Sequence, residues 1–367
     1  MDKVAIMPAA DRAALFNQAG AARGLANAII EKDFWVCWTL KRLFGIQGED
    51  SPGLVFKGGT SLSKGYDAIR RFSEDIDLSF DRADLVYGGD RDPEAAPSRK
   101  KAEKLIDDLV ADVAKHIETV VLPRLSAAIE RELGPAAEAG WSLKIDPGEP
   151  QNLIFEYPVS LPENDYAGFA YMSSRVKLEF GARGDPWPTE KREIVSYAAQ
   201  EYPDFFEEPA CSVDVLALRR TFWEKATALH AEHHRDLGSA TPQYFSRHYY
   251  DLATLADTEE GKKAIKDTGL LKQVADHKSL FFRSGWASYD TARAGTLRLS
   301  PHPDRIPDLR ADYRKMAPMM FDDPPPSFDD IMKRIAELEK TINGNDGPST
   351  VAQHRSDSGW KVPQDGL

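Results

Sequence analysis

The sequence has little cysteine, no long apolar run and no excess of positive charge. Only two of its 367 residues are cysteines, Cys37 and Cys211, and neither lies in a CxxC arrangement. A cysteine motif of that kind is therefore excluded, and we expect both residues to be ordinary buried thiols. Charged residues interrupt every apolar stretch, including the one around Phe34, whereas a membrane helix needs about 20 apolar residues in a row. The sequence thus predicts no membrane span.

The charge balance is acidic, with 59 Asp and Glu against 47 Lys and Arg and a net charge of -12. Proteins that coat nucleic acid bind phosphates through clustered Lys and Arg, so that class is excluded and a nucleic-acid substrate would need a local basic patch. The N-terminal segment contains acidic residues and lacks the apolar stretch of a secretion signal. We therefore expect a cytoplasmic protein.

Apolar residues recur with two spacings, which together predict an α+β fold. Its first half would contain a mixed β-sheet flanked by helices, and its C-terminal half would be mostly helical. Helical spacing predicts two helices over residues 12–43, split near Gly24. The short apolar or alternating segments that we expect to form strands are residues 54–56, 75–80, 141–145, 152–159 and 175–180.

Capping residues and helical spacing predict the remaining helices. Ser98 would cap a long helix that is broken or kinked at Pro123. Ser212 would cap another helix that runs to about His234. Further segments with helical character are residues 61–69, 243–255, 261–275 and 328–341.

Composition suggests where the chain divides. Residues 81–97 are rich in Asp, Gly, Pro and Arg, which is typical of a mobile surface loop, and the proline-rich run after Gly184 is expected to be a connection. We predict a core with N-terminal helices over residues 1–205 and a helical domain over residues 206–342. Residues 343–367 have few apolar anchors and are predicted to be a disordered tail.

The motif KGGTSLSKGY predicts a cradle for phosphates. Gly58 and Gly59 allow a tight turn in which the backbone can approach an anion closely. The helix that follows would offer free N–H groups and its positive dipole end, with hydroxyl donors from Thr60 and Ser61. Lys64 lies about one turn into that helix and could reach a phosphate oxygen.

The motif RRFSEDIDLSF predicts a metal site one element later. A strand places Asp75 and Asp77 side by side, where their charges repel each other unless a cation lies between them. Mg²⁺, or Mn²⁺ in its place, suits two carboxylates and substrate phosphates. In the motif RVKLEF, Glu179 would face away from the apolar side of its strand and supply a third carboxylate. Glu74 should point away from the metal.

Either motif alone has an ordinary explanation, because a glycine pair is usually a turn and an acidic strand end is usually solvated. Their order along the chain is more specific, since strand, glycine turn, hydroxyl-rich helix and acidic strand together make one site for a polyphosphate and a metal.

With these motifs, the sequence resembles the nucleotidyltransferases of the AbiEii/AbiGii toxin family, within the DNA polymerase beta-like superfamily. The resemblance covers most of the chain. The motifs that carry it are EKDFW, FKGGTSLSKGY, RFSEDIDLSF, VKLEFGAR, FWEKATALHAEHHR and RHYYDLATL.

The resemblance implies a nucleotidyltransferase core, an NTP substrate and a role as the toxin of a bacterial toxin-antitoxin or phage-abortive-infection system. It also implies a winged-helix antitoxin encoded nearby, and some relatives act on tRNA 3′ ends. The residues onto which the family's motifs fall are Gly58, Gly59, Thr60 and Ser61 for the glycine-serine motif, Asp75 and Asp77 for the metal, Glu179 for the third carboxylate, Lys225 for the conserved lysine and Asp251 for the late aspartate.

The two late residues each have two interpretations. Lys225 emerges from an apolar helix stripe, so its ammonium is either aimed at the nucleotide or extends to water over the edge of the core. Asp251 lies four residues after Arg247 and either pairs with it at the surface or acts as a base or a positioning residue for Lys225.

Other motifs also have a functional and an ordinary interpretation. His230 and His234 have the spacing of a zinc pair, with His233 between them, but they also fit a solvated helix end. Ser73 is either a phosphorylation site that would repel metal and NTP or an ordinary strand-edge hydroxyl. The basic residues that flank the cradle, and that could bind an NTP or an RNA end or pair with nearby acids, are Lys57, Lys64, Arg70, Arg71, Arg175, Lys177 and Arg183.

We therefore predict a metal-dependent nucleotidyltransferase that moves a nucleoside monophosphate from an NTP to an RNA acceptor, in particular a tRNA 3′ end. The alternatives are a kinase-like phosphotransferase on the same cradle and a non-catalytic NTP-binding regulatory module.

Overall fold

A computed structural model describes residues 1–48, 50–167, 172–322 and 324–344. The predicted disordered tail falls almost entirely outside these residues, since positions 345–367 are not described. No helix in the described ranges combines the length and apolar character needed to cross a bilayer.

Three helices open the fold: α1 (Asp2–Ala5), α2 (Ala9–Arg23) and α3 (Asn27–Gly45). Gly24 ends α2 with a φ of 67°, a left-handed conformation that glycine adopts without strain. The predicted split of the N-terminal helical region is therefore confirmed. The middle of α3 is buried on all sides, including the charged residues Glu31, Lys32 and Asp33.

The next elements build one mixed sheet of seven strands in the order β3-β4-β5-β2-β1-β7-β6. The pairs β2–β5 and β1–β7 are parallel and the other neighbours are antiparallel. The elements of this region are β1 (Leu54–Lys57), α4 (Gly58–Lys64), β2 (Ile76–Phe80), α5 (Arg99–His116), α6 (Leu122–Leu133), α7 (Ala136–Ala139), β3 (Ser142–Asp146), β4 (Glu149–Glu156), β5 (Arg175–Gly181), β6 (Thr189–Val195), α8 (Tyr197–Glu201) and β7 (Ala210–Leu216).

The prediction of a helix capped by Ser212 is wrong. Ser212 lies within β7, where Cys211, Val213 and Val215 are buried and Ser212 is exposed. A serine followed by apolar residues resembles a helix start, yet the period of two in this segment is that of a strand. Strand β6 was likewise not predicted, because charged residues dominate its sequence, TEKREIV.

The C-terminal half is helical and packs around a core of its own. Its helices are α9 (Leu218–His233), α10 (Ser246–Leu255), α11 (Glu259–Lys266), α12 (Thr268–Phe281), α13 (Ile306–Lys315) and α14 (Phe328–Asn343). One apolar cluster surrounds the sheet and a second lies among these helices. Because β7 belongs to the sheet and follows residue 205, we propose that the domain boundary lies near residue 217.

Several predicted bounds shift for local reasons. Helix α4 begins at Gly58 and ends at Lys64, earlier than predicted. A π-helical turn, Ile117–Val121, comes just before Pro123 and distorts the long helix near the predicted position. The segment predicted as one helix over residues 261–275 forms α11 and α12. Within residues 81–97, Tyr87 is fully buried, which argues against a loop that is free of the core.

Candidate active site

A pocket of about 400 Å³ lies between the sheet and the C-terminal helices. Its sheet side contains the glycine turn and the predicted carboxylates, and its helical side contains mainly cationic and neutral polar groups. Its lining residues include Lys57, Gly58, Gly59, Arg71, Ser73, Asp75, Asp77 and Glu179 on the first side, and Arg220, Glu224, Lys225, Arg247, His248, Lys278, Phe282 and Tyr289 on the second.

The carboxylates line one face of the sheet because of strand alternation. On β2 the residues Ile76, Leu78 and Phe80 are buried in the core, which leaves Asp77 on the opposite face. Strand β5 alternates in the same way, and its Glu179 pairs in register with Asp77. The predicted orientation of these two acids is what the alternation produces.

The acids stand close enough to affect each other's ionisation. Burial raises the pKa of Asp75, and the negative charge of Glu179 raises it further. Burial also raises the pKa of Asp77, to about 6, with Glu179 and Asp75 adding to the rise and Lys57 opposing it. A cation between these groups would remove the repulsion.

The turn at Gly58 depends on glycine for two reasons. Its φ is 76°, which other residues adopt only with strain. In addition, a Cβ at this position would collide with Oδ2 of Asp77. At Gly59 a Cβ would lie 2.6 Å from Oγ of Ser73 and 2.8 Å from Nη2 of Arg71. The absence of side chains therefore lets the turn pack directly against the acidic strand.

The hydroxyls after the turn serve the backbone and do not line the pocket. The hydroxyl of Thr60 donates to the carbonyl of Asp75 at 2.6 Å, and that of Ser61 donates to the carbonyl of Gly58 at 2.9 Å. Both side chains are buried. The sequence pattern predicted phosphate contacts for both hydroxyls, whereas in the structure they fix the turn and the start of the acidic segment.

Lys64 also lies away from the pocket. Its ammonium is 2.8 Å from Oδ1 of Asp33 and lies over the ring of Tyr197. Burial opposes its charge, but Asp33 outweighs burial and raises the pKa of Lys64. The predicted contact with a phosphate oxygen is corrected accordingly, because Lys64 pairs with Asp33 of α3 and does not line the pocket.

Asp251 is fully buried and joins two cations of the pocket. Its carboxylate accepts two hydrogen bonds from Arg71, both at 2.7 Å, and lies 2.7 Å from the ammonium of Lys225. Burial alone would raise the pKa of Asp251, yet Arg71 and Lys225 hold it well below its usual value. The surface pair with Arg247 is not formed, because Asp251 instead holds Arg71 and Lys225. A role of Asp251 in the chemistry stays a prediction.

The family model described as nucleotidyl transferase AbiEii toxin of type IV toxin-antitoxin systems matches residues 41–334. The chain belongs to this family. It is therefore a nucleotidyltransferase and the toxin of a toxin-antitoxin system, which implies an NTP substrate and an antitoxin partner.

Six chains of solved structures also match. MenT4, a nucleotidyltransferase toxin from Mycobacterium tuberculosis H37Rv, aligns over 91% of this chain and 90% of that chain, with 16% sequence identity and a TM-score of 0.49. No curated protein sequence matches.

The residues of the EKDFW motif in this AbiEii-family chain are buried, and its charged side chains hold neighbouring segments in place. Glu31 accepts hydrogen bonds from the Ser160 backbone N–H at 2.7 Å and from the Tyr166 hydroxyl at 2.7 Å. Lys32 is 2.7 Å from Glu74, so Glu74 is held away from the pocket, as predicted. The motif thereby fixes the segment that contains Asp75, and none of its residues lines the pocket.

The helical side of the pocket contains polar groups that no sequence motif assigned to the site. Lys278 donates to the backbone carbonyl of Glu224 at 2.7 Å. Burial lowers the pKa of Lys278 to about 8, with Lys57 and Arg220 lowering it and Glu224 opposing them. Burial likewise holds the pKa of His248 well below its usual value. No local motif marks Lys278, since only the packing of α12 against α9 brings it here.

The residues present fit a divalent cation as an open site. Among the described side chains no three His, Cys, Asp or Glu form a ready-made metal cage, and Glu179 lies 2.5 Å from Lys177. Asp75 and Asp77 nevertheless line the same pocket with raised pKa values. Mg²⁺ commonly takes one or two carboxylates and completes its shell with water and phosphate.

The histidines do not form a zinc site. Nε2 of His230 lies 3.0 Å from the carbonyl of Ser288, and its Nδ1 accepts from the backbone N–H of Arg298 at 2.9 Å. Both ring nitrogens of His230 are thus in use. His233 contacts the carbonyl of Ser300 at 2.7 Å, so these histidines hold neighbouring segments together.

Ser73 lines the pocket, and its phosphorylation stays a prediction.

Proposed function

We propose that this toxin transfers a nucleoside monophosphate from an NTP to an RNA acceptor, with Mg²⁺ or Mn²⁺ held by Asp75 and Asp77. The observation that supports it is the arrangement of one pocket, in which two acids with raised pKa values lie beside a glycine turn and opposite several cations. Such a site suits a metal-bound triphosphate.

Each part of the pocket has a role in this proposal. Asp75 and Asp77 hold the cation, and Glu179 joins them when it leaves Lys177. The cation, when bound, neutralises phosphate charge and polarises the phosphoryl oxygens. The backbone at Gly58 and Gly59 approaches the phosphates, and the ammonium groups of the helical side stabilise the charge on the leaving group. Lys225 is the first of these, held in place by Asp251.

The proposed reaction is an in-line displacement at the α-phosphorus. A hydroxyl oxygen of the acceptor forms a bond to the α-phosphorus, and the bond from that phosphorus to the oxygen bridging to the β-phosphate breaks. Pyrophosphate leaves, and the hydroxyl proton is released to water.

We propose the tRNA 3′ end as the acceptor, because the family that the sequence resembles includes relatives that act there. Modification of that end would stop translation, which fits a role in abortive infection and phage defence. The proposed site of action is the cytoplasm, where NTPs and tRNA are found, and the proposed antitoxin is a winged-helix protein encoded nearby.

The test uses NTPs labelled separately at the α- and γ-phosphates, incubated with the purified protein, Mg²⁺ and total bacterial RNA. The proposal expects the α label on RNA and the γ label in pyrophosphate. A γ label on any acceptor would instead support the kinase-like alternative. NTP binding without transfer of either label, together with toxicity that survives Asp75→Asn plus Asp77→Asn, would support the regulatory module.

A further inference from the structure

A second groove, of about 220 Å³, meets the main pocket at its acidic side. The two cavities share Lys57, Asp77 and Glu179. The rest of its lining comes mainly from β4 and β5 and includes the polar residues Asn152 and Lys177. Asp77 and Glu179, two of the acids that we assign to the metal, therefore lie on the border between the two cavities.

The sheet register explains why the cavities join. Asn152 pairs with Glu179, Glu179 with Asp77, and Asp77 with Lys57, across the four neighbouring strands β4, β5, β2 and β1. Residues paired directly across strands project to the same face, with Cβ atoms about 5 Å apart. One polar row thus runs from the groove into the main pocket.

In-line displacement indicates that the attacking group and the leaving group lie in different cavities. The attacking and leaving oxygens lie on opposite sides of the α-phosphorus. The glycine turn, Lys225 and Lys278 line the main pocket and not the groove, so the pyrophosphate belongs on the pocket side. The attacking hydroxyl must then arrive from the side of Asn152 and Lys177.

We propose that this groove binds the 3′-terminal nucleotides of the RNA acceptor, an inference that rests on the proposed function. Lys177 contacts a backbone phosphate, and the Asn152 amide hydrogen-bonds a ribose hydroxyl near the reacting one. RNA is distinguished by such hydroxyls, and single strands bind through grooves that follow their phosphates.

The state of the two side chains supports these roles. Asn152 is only 6% exposed, yet within the described part of the chain its side-chain amide makes no hydrogen bond. Its amide atoms are not among the fully buried side-chain atoms, so they are accessible from the groove and available to a ligand. The side chain of Lys177 is 31% exposed and pairs with Glu179, so it can exchange that partner for a phosphate when Glu179 joins the metal. Glu149 also lines the groove, which directs the phosphate chain toward Lys177.

The experiment compares Lys177→Gln and Asn152→Ala with a matched control, Lys191→Gln. Lys191 is an exposed lysine on β6, at the opposite edge of the same sheet. The probes are total bacterial tRNA and a non-hydrolysable NTP analogue. For each variant, the KM for tRNA in transfer of the α label and the Kd of the analogue are measured.

The groove proposal expects the KM for tRNA to rise about tenfold in each groove variant, since a charge-assisted or buried hydrogen bond is lost. The Kd of the analogue should stay within about twofold of the wild-type value, which also shows that the variants are folded. For Lys177→Gln, the slope of log affinity for tRNA against log salt should fall by about 0.7, the loss of one phosphate contact on a single strand. Lys191→Gln should change none of these values.

A weaker affinity for the NTP analogue with an unchanged KM for tRNA would overturn the groove proposal and leave the proposed function standing. If the wild-type protein transfers no α label, the proposed function fails, and retention of tRNA on filters still tests the groove. Equal tRNA retention by wild type and both groove variants would then count against it.

Discussion

The sheet half and the helical half of the protein each contain a buried lysine–aspartate pair. The two pairs differ in whether they reach the pocket. In the sheet half, Lys64 pairs with Asp33 at 2.8 Å. In the helical half, Lys225 pairs with Asp251 at 2.7 Å. Each side chain of both pairs is at most 9% exposed. Only the second pair has a member, Lys225, that lines the pocket.

The difference lies in how many cations each aspartate holds. Within the described ranges, Asp33 forms an ion pair with Lys64 alone, whereas Asp251 pairs with both Arg71 and Lys225. Loss of Lys64 would leave a buried carboxylate without a counter-charge, but loss of Lys225 would leave Asp251 paired with Arg71. We therefore propose that Lys64 has a structural role and that Lys225 is available to a substrate.

The largest effect on transfer is expected when the acids of the pocket that face the cations lose their charge. Asp75→Asn with Asp77→Asn should lower α-label transfer by about a thousandfold or more, because stabilisation by a bound metal is worth several kcal/mol. The measurement is the single-turnover rate. Unchanged transfer in this double variant would remove the metal site from the account.

Replacing each lysine separately tests whether the two pairs have different roles. Lys225→Gln should reduce transfer by roughly a hundredfold to a thousandfold, the usual cost of one lost charge-stabilising donor. Lys64→Gln should instead lower the free energy of unfolding by about 3–5 kcal/mol, the cost of breaking a buried pair. Urea unfolding and the transfer rate are measured for both variants. A stability loss of that size in Lys225→Gln, with normal transfer, would reverse the two assignments.

A smaller effect on stability is expected at the glycine turn. Gly58→Ala should destabilise the protein by about 1–3 kcal/mol through backbone strain and should also displace Asp77, so transfer falls strongly. Gly140→Ala is the control, since Gly140 has a φ of 72° but open space around its Cβ position. It should lose stability and keep its activity. Equal activity in the two folded variants would show that contact with Asp77 is unimportant.

The smallest effect concerns pH. Asp77 has a pKa of about 6 in the folded protein against 3.8 ordinarily, so the folded state binds its proton more tightly than the unfolded state does. Without metal, the free energy of unfolding should therefore fall by roughly 2–3 kcal/mol between pH 4 and pH 7 from this group. Asp77→Asn should lack that decrease in urea titrations made in EDTA. Identical pH profiles for the two proteins would contradict the raised pKa.

The sequence was most informative where alternation and glycine chemistry act locally. Alternation in β2 and β5 correctly predicted that Asp77 and Glu179 avoid the core, and Gly58 correctly marked a turn. The sequence could not predict that Lys64 turns toward α3, because its partner Asp33 lies 31 residues away and only helix packing brings the two together. Lys278 was missed for the same reason, and Ser212 was misassigned because a serine before apolar residues fits both a cap and a strand.

The central claim is that a divalent cation between Asp75 and Asp77 joins the triphosphate to the glycine turn. Titration of the protein with a non-hydrolysable NTP analogue, in Mg²⁺ and in EDTA, tests it most directly. We expect binding at least about tenfold tighter in Mg²⁺, a gain of about 1.4 kcal/mol, and no such gain in Asp75→Asn with Asp77→Asn. Equal affinity of the wild-type protein in Mg²⁺ and in EDTA would contradict the claim.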